Sequence, residues 1–153
     1  MAQYFFDTSA FAKYYHQERG SSTVEAIFNQ PGRVVRLSNL GVPETESAFA
    51  MKVRSGQLSR LAAGAQRAKM MLDIAASVIE VVQLQPEHFR SAQLLIGRHG
   101  FSNRLRTLDA LQLALAIDLR RIGLLDHFVV ADQILSAVAT AEGLPVIDPE
   151  SHP

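Results

Sequence analysis

The chain has 153 residues, 48% of them hydrophobic, and its 15 basic side chains balance its 15 acidic ones. This length fits one domain with a sizeable core and leaves little room for a second. The lack of cysteine excludes disulfides, thiolate zinc sites and cysteine nucleophiles. A net charge of zero disfavours a protein that coats nucleic acid through bulk electrostatics, so any such contact must be local. We see no basic leader and no run of roughly 20 apolar residues, and therefore expect a cytoplasmic protein without a membrane segment.

The first half of the chain predicts strands alternating with helices. A short apolar run over 4–6 predicts the first strand, and the capping residues that follow it predict a helix over 10–17. A second helix is predicted from Gly20 to about 29, a strand over 34–37 and a helix from Pro43 to about 54. A long helix over 59–77 and a strand over 78–84 complete this half.

The second half continues the alternation. A helix from Pro86 to about Gly100 is followed by a polar loop over 101–106. A very apolar helix over 108–122, a strand over 128–131, a helix over 133–142 and a last strand over 144–147 follow. This order predicts a three-layer α/β/α domain over 1–148, with a mainly parallel central sheet flanked by helices on both faces. We expect 149–153 to form a frayed C-terminal tail.

Several acidic residues occupy positions that suit both catalysis and helix capping. Ligands of open α/β sheets bind at the carboxyl ends of the strands, and Asp7 and Asp132 each follow a predicted strand. Each is also a good helix N-cap. Asp109 lies among apolar helical residues, where a carboxylate is costly unless it caps the helix or is compensated. Glu44 and Glu46 share a first helical turn, and physical chemistry alone does not choose between them.

If these acids converge, their charges require a cation. Two like charges about 4 Å apart repel by roughly 4 kcal/mol at an effective dielectric constant of 20. Oxygen-only ligands favour Mg²⁺ or Mn²⁺ over zinc. Such ions can activate water and stabilise the leaving oxygen of an in-line displacement. The pattern therefore predicts metal-assisted phosphoryl chemistry.

Four segments of the sequence resemble the PIN domain family, and within it the VapC-type toxins of bacterial toxin–antitoxin pairs. The stretch 7–15 with 18–21 is similar to the family's opening acidic motif and first helix. The later motifs are carried by Ser38, Glu44 and Ala48, then by Arg106 with Asp109, and finally by 128–132 with 143–146. The resemblance covers nearly the whole chain. It selects Glu44 over Glu46 as the site glutamate.

The resemblance implies an endoribonuclease toxin that hydrolyses RNA phosphodiester bonds. One or two Mg²⁺ ions, or alternatively Mn²⁺, would be held by four catalytic carboxylates, and Thr8 or Ser9 would orient the first of them. Family members pair into homodimers and are silenced by a small cognate antitoxin. Val130 is a departure, because the family often has a hydroxyl side chain there. The four implied metal ligands are Asp7, Glu44, Asp109 and Asp132.

Two interpretations stay open beside these. Arg104 and Arg106 precede Asp109 and are candidates for contacts with RNA phosphates, but a solvated polar loop explains them equally well. For the chain as a whole, the competing hypothesis is a catalytically silent PIN-like module that binds RNA or a protein partner and keeps the acids as helix caps.

Overall fold

The computed structural model describes residues 1–151. Its strands are β1 (Gln3–Phe6), β2 (Val34–Ser38), β3 (Glu80–Val82), β4 (His127–Val129) and β5 (Val146–Ile147). Its helices are α1 (Thr8–Phe11), α2 (Ser21–Phe28), α3 (Gly41–Arg54), α4 (Arg60–Ala75), α5 (Pro86–His99), α6 (Thr107–Arg121) and α7 (Gln133–Ala141). The strands form one sheet in the order β3-β2-β1-β4-β5, and every pairing is parallel. The predicted α/β/α architecture is therefore confirmed.

The hydrophobic core is divided by the sheet into two layers. Successive residues of a strand point to opposite faces. Phe5 therefore packs with α5, α6 and α7, where its ring stacks 5.5 Å from that of Phe128. Phe6 points the other way and packs against Phe11 and Phe28, together with residues of α3 and α4. Both faces of the sheet are thus covered, as expected for parallel strands. Among residues 1–151, no helix combines the length and apolarity that crossing a membrane requires.

The strand order creates a switch point between β1 and β4. The chain builds outward from β1 to β2 and β3, then returns to place β4 and β5 on the other side of β1. At this junction Phe6 is paired with Val129, so both strands end at the same level. A crevice forms where the strand order reverses, beyond the carboxyl ends of the strands. The residues that follow β1 and β4 face this crevice.

Several predicted helix boundaries differ from the structure. The helix predicted over 10–17 is instead the short α1 followed by a 3₁₀ turn, Ala12–Tyr14. Tertiary contacts hold this path, because the Tyr14 ring stacks on Phe28 and the Tyr15 hydroxyl donates to Asp73. Helix α3 begins two residues before Pro43, at Gly41. Helix α6 begins at Thr107, one residue before the predicted start.

The described part of the predicted C-terminal tail, residues 149–151, packs against the domain. Pro149 is buried, and Glu150 Oε1 lies 2.6 Å from Lys13 Nζ. The Arg19 guanidinium also donates to the Glu150 carbonyl at 3.0 Å. The expected fraying is therefore wrong for residues 149 and 150, because pairing with a buried lysine holds them. Ser151 also bonds back to the domain, since its amide and hydroxyl donate to the Asp148 carbonyl at 3.2 and 2.8 Å. The last two residues of the predicted tail, 152–153, lie outside the described residues.

Candidate active site

Asp7 and Asp132 flank the switch point. Asp7 follows β1 and caps α1, accepting a hydrogen bond from the Ser9 amide at 3.0 Å. Asp132 lies just beyond β4 and caps α7, accepting from the Leu135 amide at 2.8 Å. The backbone links the two strand ends, since the Asp7 amide donates to the Val129 carbonyl at 3.0 Å. Both aspartates are therefore helix caps and neighbours at one sheet edge, so capping does not exclude a functional role.

Ser9 joins the two strand ends through its hydroxyl group. The hydroxyl donates to Asp7 Oδ2 at 2.5 Å and accepts from the amides of Ala131 and Asp132, each at 3.2 Å. Of the two residues expected to orient the first carboxylate, Ser9 contacts it and Thr8 contacts Glu44. Val130 is fully buried in the core. The hydroxyl beside the start of α7 thus comes from Ser9.

Glu44 lies beside Asp7, in the first turn of α3. Its Oε2 accepts two hydrogen bonds, from Thr8 Oγ1 at 2.9 Å and from Gln112 Nε2 at 2.8 Å. Glu46 points elsewhere and pairs with Arg67 of α4 at 2.9 Å. Two residues on a helix are about 200° apart, so only one of the two glutamates can face the crevice. The structure places Glu44 there.

Asp109 occupies the first turn of α6 and is buried. It does not occupy the cap position, which belongs to Arg106. The Asp109 carboxylate accepts from Arg106 Nε at 3.0 Å and from the Arg106 amide at 3.4 Å. Arg106 Nη2 also lies 3.8 Å from Asp132 Oδ2. One arginine thus bridges the acids of α6 and α7. From the sequence, Arg106 was expected either in a solvated loop or in contact with RNA phosphates, and its pairing with these acids was not predicted.

The electrostatics confirm that these acids share one environment. Burial raises the pKa of Asp7 to about 6, although the Ser9 hydroxyl and amide act to lower it. The charges of Asp109 and Glu44 make smaller contributions to this rise in pKa. The pKa of Arg106 is raised by its hydrogen bond to Asp109 and by the charges of Asp109, Asp132 and Asp7. Asp7 therefore interacts with Glu44 and Asp109, and Arg106 with Asp109 and Asp132. We call the four carboxylates the acid cluster, consisting of Asp7, Glu44, Asp109 and Asp132.

The acid cluster has the donor chemistry of a hard-cation site, although its side chains are engaged with protein groups. Within residues 1–151, no three acidic or imidazole side chains are arranged to hold an ion directly. Glu44 is turned to Thr8 and Gln112, and Asp109 to Arg106. The donors are all oxygens, which suits Mg²⁺ or Mn²⁺. Beside them is a hollow of about 240 Å³, lined by Arg104, Arg106, Asp109, Asp132 and Ile134.

Gln112 is the site residue that the sequence did not single out. It lies three residues after Asp109 on α6, is 1% exposed and donates to Glu44. A signal was available, because Gln112 is a polar residue inside an otherwise apolar stretch of helix. A buried amide requires hydrogen-bond partners, so its position pointed to a polar neighbour.

Known proteins share this architecture. Residues 4–138 match the family model of the PIN domain. Among solved structures, the chain resembles Mycobacterium tuberculosis VapC20, described as a sarcin–ricin loop cleaving toxin, with 22% identity, a TM-score of 0.66 and coverage of 95% of this chain and 99% of that one. PAE2754 of Pyrobaculum aerophilum has 21% identity, a TM-score of 0.65 and coverage of 98% and 91%.

A more distant similarity links the chain to FitAcB of Neisseria gonorrhoeae, with 14% identity, a TM-score of 0.59 and coverage of 98% of this chain and 99% of that one. At these identities the solved structures show the fold alone. No curated protein sequence is measurably similar to the chain. The family match spans β1 to most of α7 and includes all four members of the acid cluster. The chain therefore belongs to the PIN domain family.

Proposed function

We propose that the protein is a divalent-metal-dependent endoribonuclease of the VapC toxin type. The observation that carries this proposal is the excess of negative charge at the switch point: Arg106 pairs with only two of the four carboxylates, Asp109 and Asp132, while burial and the charges of Asp109 and Glu44 raise the pKa of Asp7. Like charges at short range repel strongly, and a structural ion pair does not require such an excess. A cation-binding role accounts for it.

In this proposal the acid cluster holds one or two Mg²⁺ ions, with Mn²⁺ as an alternative. A bound ion would supply a Lewis acid that activates water and neutralises charge on the scissile phosphate. Ser9 orients the Asp7 carboxylate, and Thr8 fixes Glu44. Arg106 pairs with Asp109 and Asp132, and it would be available to an RNA phosphate if a metal ion took up those carboxylates. No side chain attacks the phosphorus atom.

RNA is the proposed substrate because of the chemistry beside the acids and the function described for a structural neighbour. Arg104 and Arg106 line the same hollow as Asp109 and Asp132, so phosphate-binding groups adjoin the cluster. VapC20 is described as cleaving the sarcin–ricin loop, an RNA target. By analogy with this toxin type, we further propose a homodimer and a small antitoxin that inserts a basic side chain among the acids.

The proposal is tested by incubating purified protein with structured RNAs in Mg²⁺, in Mn²⁺ or in excess chelator. The wild type should cleave RNA only with metal, and Asp7→Asn and Glu44→Gln should be inactive. Glu46→Gln is the matched control, since Glu46 lies on the same helical turn and pairs with Arg67 away from the cluster. Its activity should equal that of the wild type.

Two outcomes would contradict the proposed mechanism: cleavage that persists in chelator, or full activity in both cluster variants. RNA binding by the wild type without cleavage under any metal would instead support the catalytically silent module. Circular dichroism spectra of each variant establish that a loss of activity is not a loss of folding.

A further inference from the structure

Gln112 of α6 makes one hydrogen bond at the acid cluster and leaves one polar atom unpaired. Its Nε2 donates to Glu44 Oε2 at 2.8 Å. Its Oε1 is buried and has no hydrogen-bond partner among residues 1–151. The side chain is 1% exposed, so bulk water does not solvate this oxygen. A buried carbonyl oxygen without a partner costs free energy, and an apolar side chain of similar size avoids that cost.

The orientation of the Gln112 amide follows from its neighbour. An ionised carboxylate only accepts hydrogen bonds, so the amide nitrogen must face Glu44. Turning the amide over would place its oxygen against the Glu44 carboxylate. The unpaired Oε1 is bonded to the same carbon as Nε2, so it too lies close to the acid cluster.

Only one of the two carboxylate oxygens of Glu44 accepts hydrogen bonds from residues 1–151. Both of its hydrogen bonds, from Thr8 and from Gln112, reach Oε2. Its Oε1 accepts no hydrogen bond from the described part of the chain. Two donors on one oxygen restrict the carboxylate rotamer and leave the other oxygen available to a ligand. Thr8 reaches Glu44 from the start of α1 and Gln112 from α6, so two separate elements set the position of this carboxylate.

We propose that Gln112 is a positioning residue of the metal centre. Its Nε2 fixes the Glu44 carboxylate, and its Oε1 accepts a hydrogen bond from a water molecule in the hydration shell of a divalent cation. Mg²⁺ retains several of its waters in protein sites, so an acceptor next to a ligand has a partner there. This inference rests on the proposed metal-dependent function.

The test measures Mn²⁺ binding by calorimetry and electron paramagnetic resonance, and thermal unfolding in chelator. Gln112→Met removes both polar atoms at similar volume. It should weaken Mn²⁺ binding by roughly 10- to 100-fold, as is typical when a group that orients a ligand is lost. Without metal it should unfold at the same temperature as the wild type or higher, because the unpaired oxygen is gone. Gln112→Leu provides a second apolar variant if the first does not fold.

Gln66→Met is the matched control. Gln66 on α4 also has a buried Oε1 without a partner among residues 1–151, but it makes no contact with the acid cluster. This variant should bind Mn²⁺ as the wild type does. A purely structural role for Gln112 predicts the reverse pattern, a lower unfolding temperature with unchanged Mn²⁺ affinity.

A double-mutant cycle tests whether Gln112 acts through Glu44. The loss of affinity caused by Gln112→Met should be smaller in a Glu44→Gln background than in the wild type. Equal losses in the two backgrounds would overturn the positioning role, as would a Gln112→Met protein that binds Mn²⁺ normally. If the wild type itself binds neither Mn²⁺ nor Mg²⁺, the proposed function fails first and this inference fails with it.

Discussion

Two clusters of charged side chains lie within this small domain, and they differ in charge balance. One consists of two lysines and two glutamates; we call it the lysine cluster, consisting of Lys13, Glu18, Lys52 and Glu150. Its ion pairs measure 2.6 to 3.3 Å, and both lysines are buried. It joins the 3₁₀ turn, the loop before α2, helix α3 and the end of the chain. Every charge in it has an opposite partner.

The acid cluster is unbalanced by comparison. Arg106 pairs with only two of its four carboxylates, Asp109 and Asp132, and the Arg106 side chain is 74% exposed. Asp7 is almost fully buried, and no basic side chain within residues 1–151 pairs with it. The lysine cluster therefore holds the structure together, whereas the acid cluster holds repulsive energy that a bound cation would relieve. The two clusters therefore differ in charge balance, which is the basis for proposing a functional role for the acid cluster alone.

The largest expected effect comes from removing the buried charge of the acid cluster. Under the proposed function, Asp7→Asn should reduce RNA cleavage on the order of 10³-fold, since the change would remove a proposed metal ligand. The same change should stabilise the metal-free protein at neutral pH. A pKa raised from 3.8 to about 6 corresponds to at most about 3 kcal/mol of relieved repulsion and desolvation. Cleavage assays and chemical denaturation in chelator measure the two effects.

Asp126→Asn is the control for this change, because Asp126 accepts from the Gln3 amide at the opposite end of β1. It should leave cleavage unchanged. An Asp7→Asn protein that is both inactive and less stable than the wild type would contradict the proposal that the buried Asp7 charge destabilises the metal-free protein.

Disrupting the lysine cluster should have the opposite effect: lower stability without a change at the acid cluster. Lys13→Met leaves Glu150 without its closest partner and Glu18 with only Lys52. Removing one partner of a fully buried pair destabilises a protein by roughly 3 to 5 kcal/mol. The glutamates left behind here are 29% and 30% exposed, so we expect a smaller loss, about 2 kcal/mol. Mn²⁺ affinity should not change.

Lys69→Met provides the comparison, since Lys69 is 53% exposed and pairs with Asp73 on the surface. It should cost about 1 kcal/mol or less. If the two lysine variants have the same stability, the lysine cluster has no structural role.

The two clusters should also respond to pH in opposite directions. The Asp7 pKa is raised in the folded state, so its contribution to stability is fully present below about pH 4 and is lost as pH rises through about 6. Burial acts to raise the Glu18 pKa, but Lys52 and Lys13 outweigh it and lower the pKa below 4.5. The Glu18 contribution is therefore present above pH 4.5 and is lost as pH falls through the lowered value.

Denaturation of the metal-free protein across this pH range tests both signs. The stability difference between Asp7→Asn and the wild type should be largest near neutral pH and should vanish near pH 4. If this stability difference stays constant with pH, ionisation of Asp7 is not what destabilises the metal-free protein.

A smaller effect is expected from the one cation of the acid cluster. Arg106→Gln should destabilise the metal-free protein by about 1 kcal/mol or less, because the Arg106 side chain is 74% exposed and its pair with Asp132 is long, at 3.8 Å. The same variant should bind Mn²⁺ more tightly, by up to roughly 5-fold, since a competing charge is removed. Arg104→Gln is the control, and its Mn²⁺ affinity should equal that of the wild type. Weaker Mn²⁺ binding by Arg106→Gln would show that Arg106 supports the ion and does not compete with it.

The smallest effect is expected at Arg104, which lines the hollow beside the cluster. In an Asp7→Asn background that prevents cleavage, Arg104→Ala should weaken RNA binding independently of sequence. The slope of log K against log salt should fall by about 0.7, the value for one phosphate contact on a single strand. Arg54→Ala, at the far end of α3 from Glu44, is the control for fluorescence anisotropy. An unchanged slope would remove Arg104 from the RNA surface.

Much of this fold could be predicted from the sequence because its signals are local. Apolar runs and capping residues located the five strands, and strand–helix alternation predicted the parallel sheet. Asp7 and Asp132 were predicted at one edge because parallel strands end on the same side. The helix after β1 was predicted less well, since contacts of Tyr14 and Tyr15 with distant helices set its shape. The attachment of Glu150 to Lys13 spans almost the whole chain and left no local signal.

The sequence by itself determined which residue types stand after the strands and in the first helical turns, and family resemblance chose Glu44 over Glu46. Only the tertiary structure decided how these residues are paired. Arg106 pairs with Asp109 and Asp132. Glu46 pairs with Arg67, and Gln112 donates a hydrogen bond to Glu44. Side-chain pairing depends on the distance between elements far apart in the chain, whereas capping and periodicity depend on neighbours. For this reason the sequence located the acids, and the folded structure showed which of them lack a compensating charge.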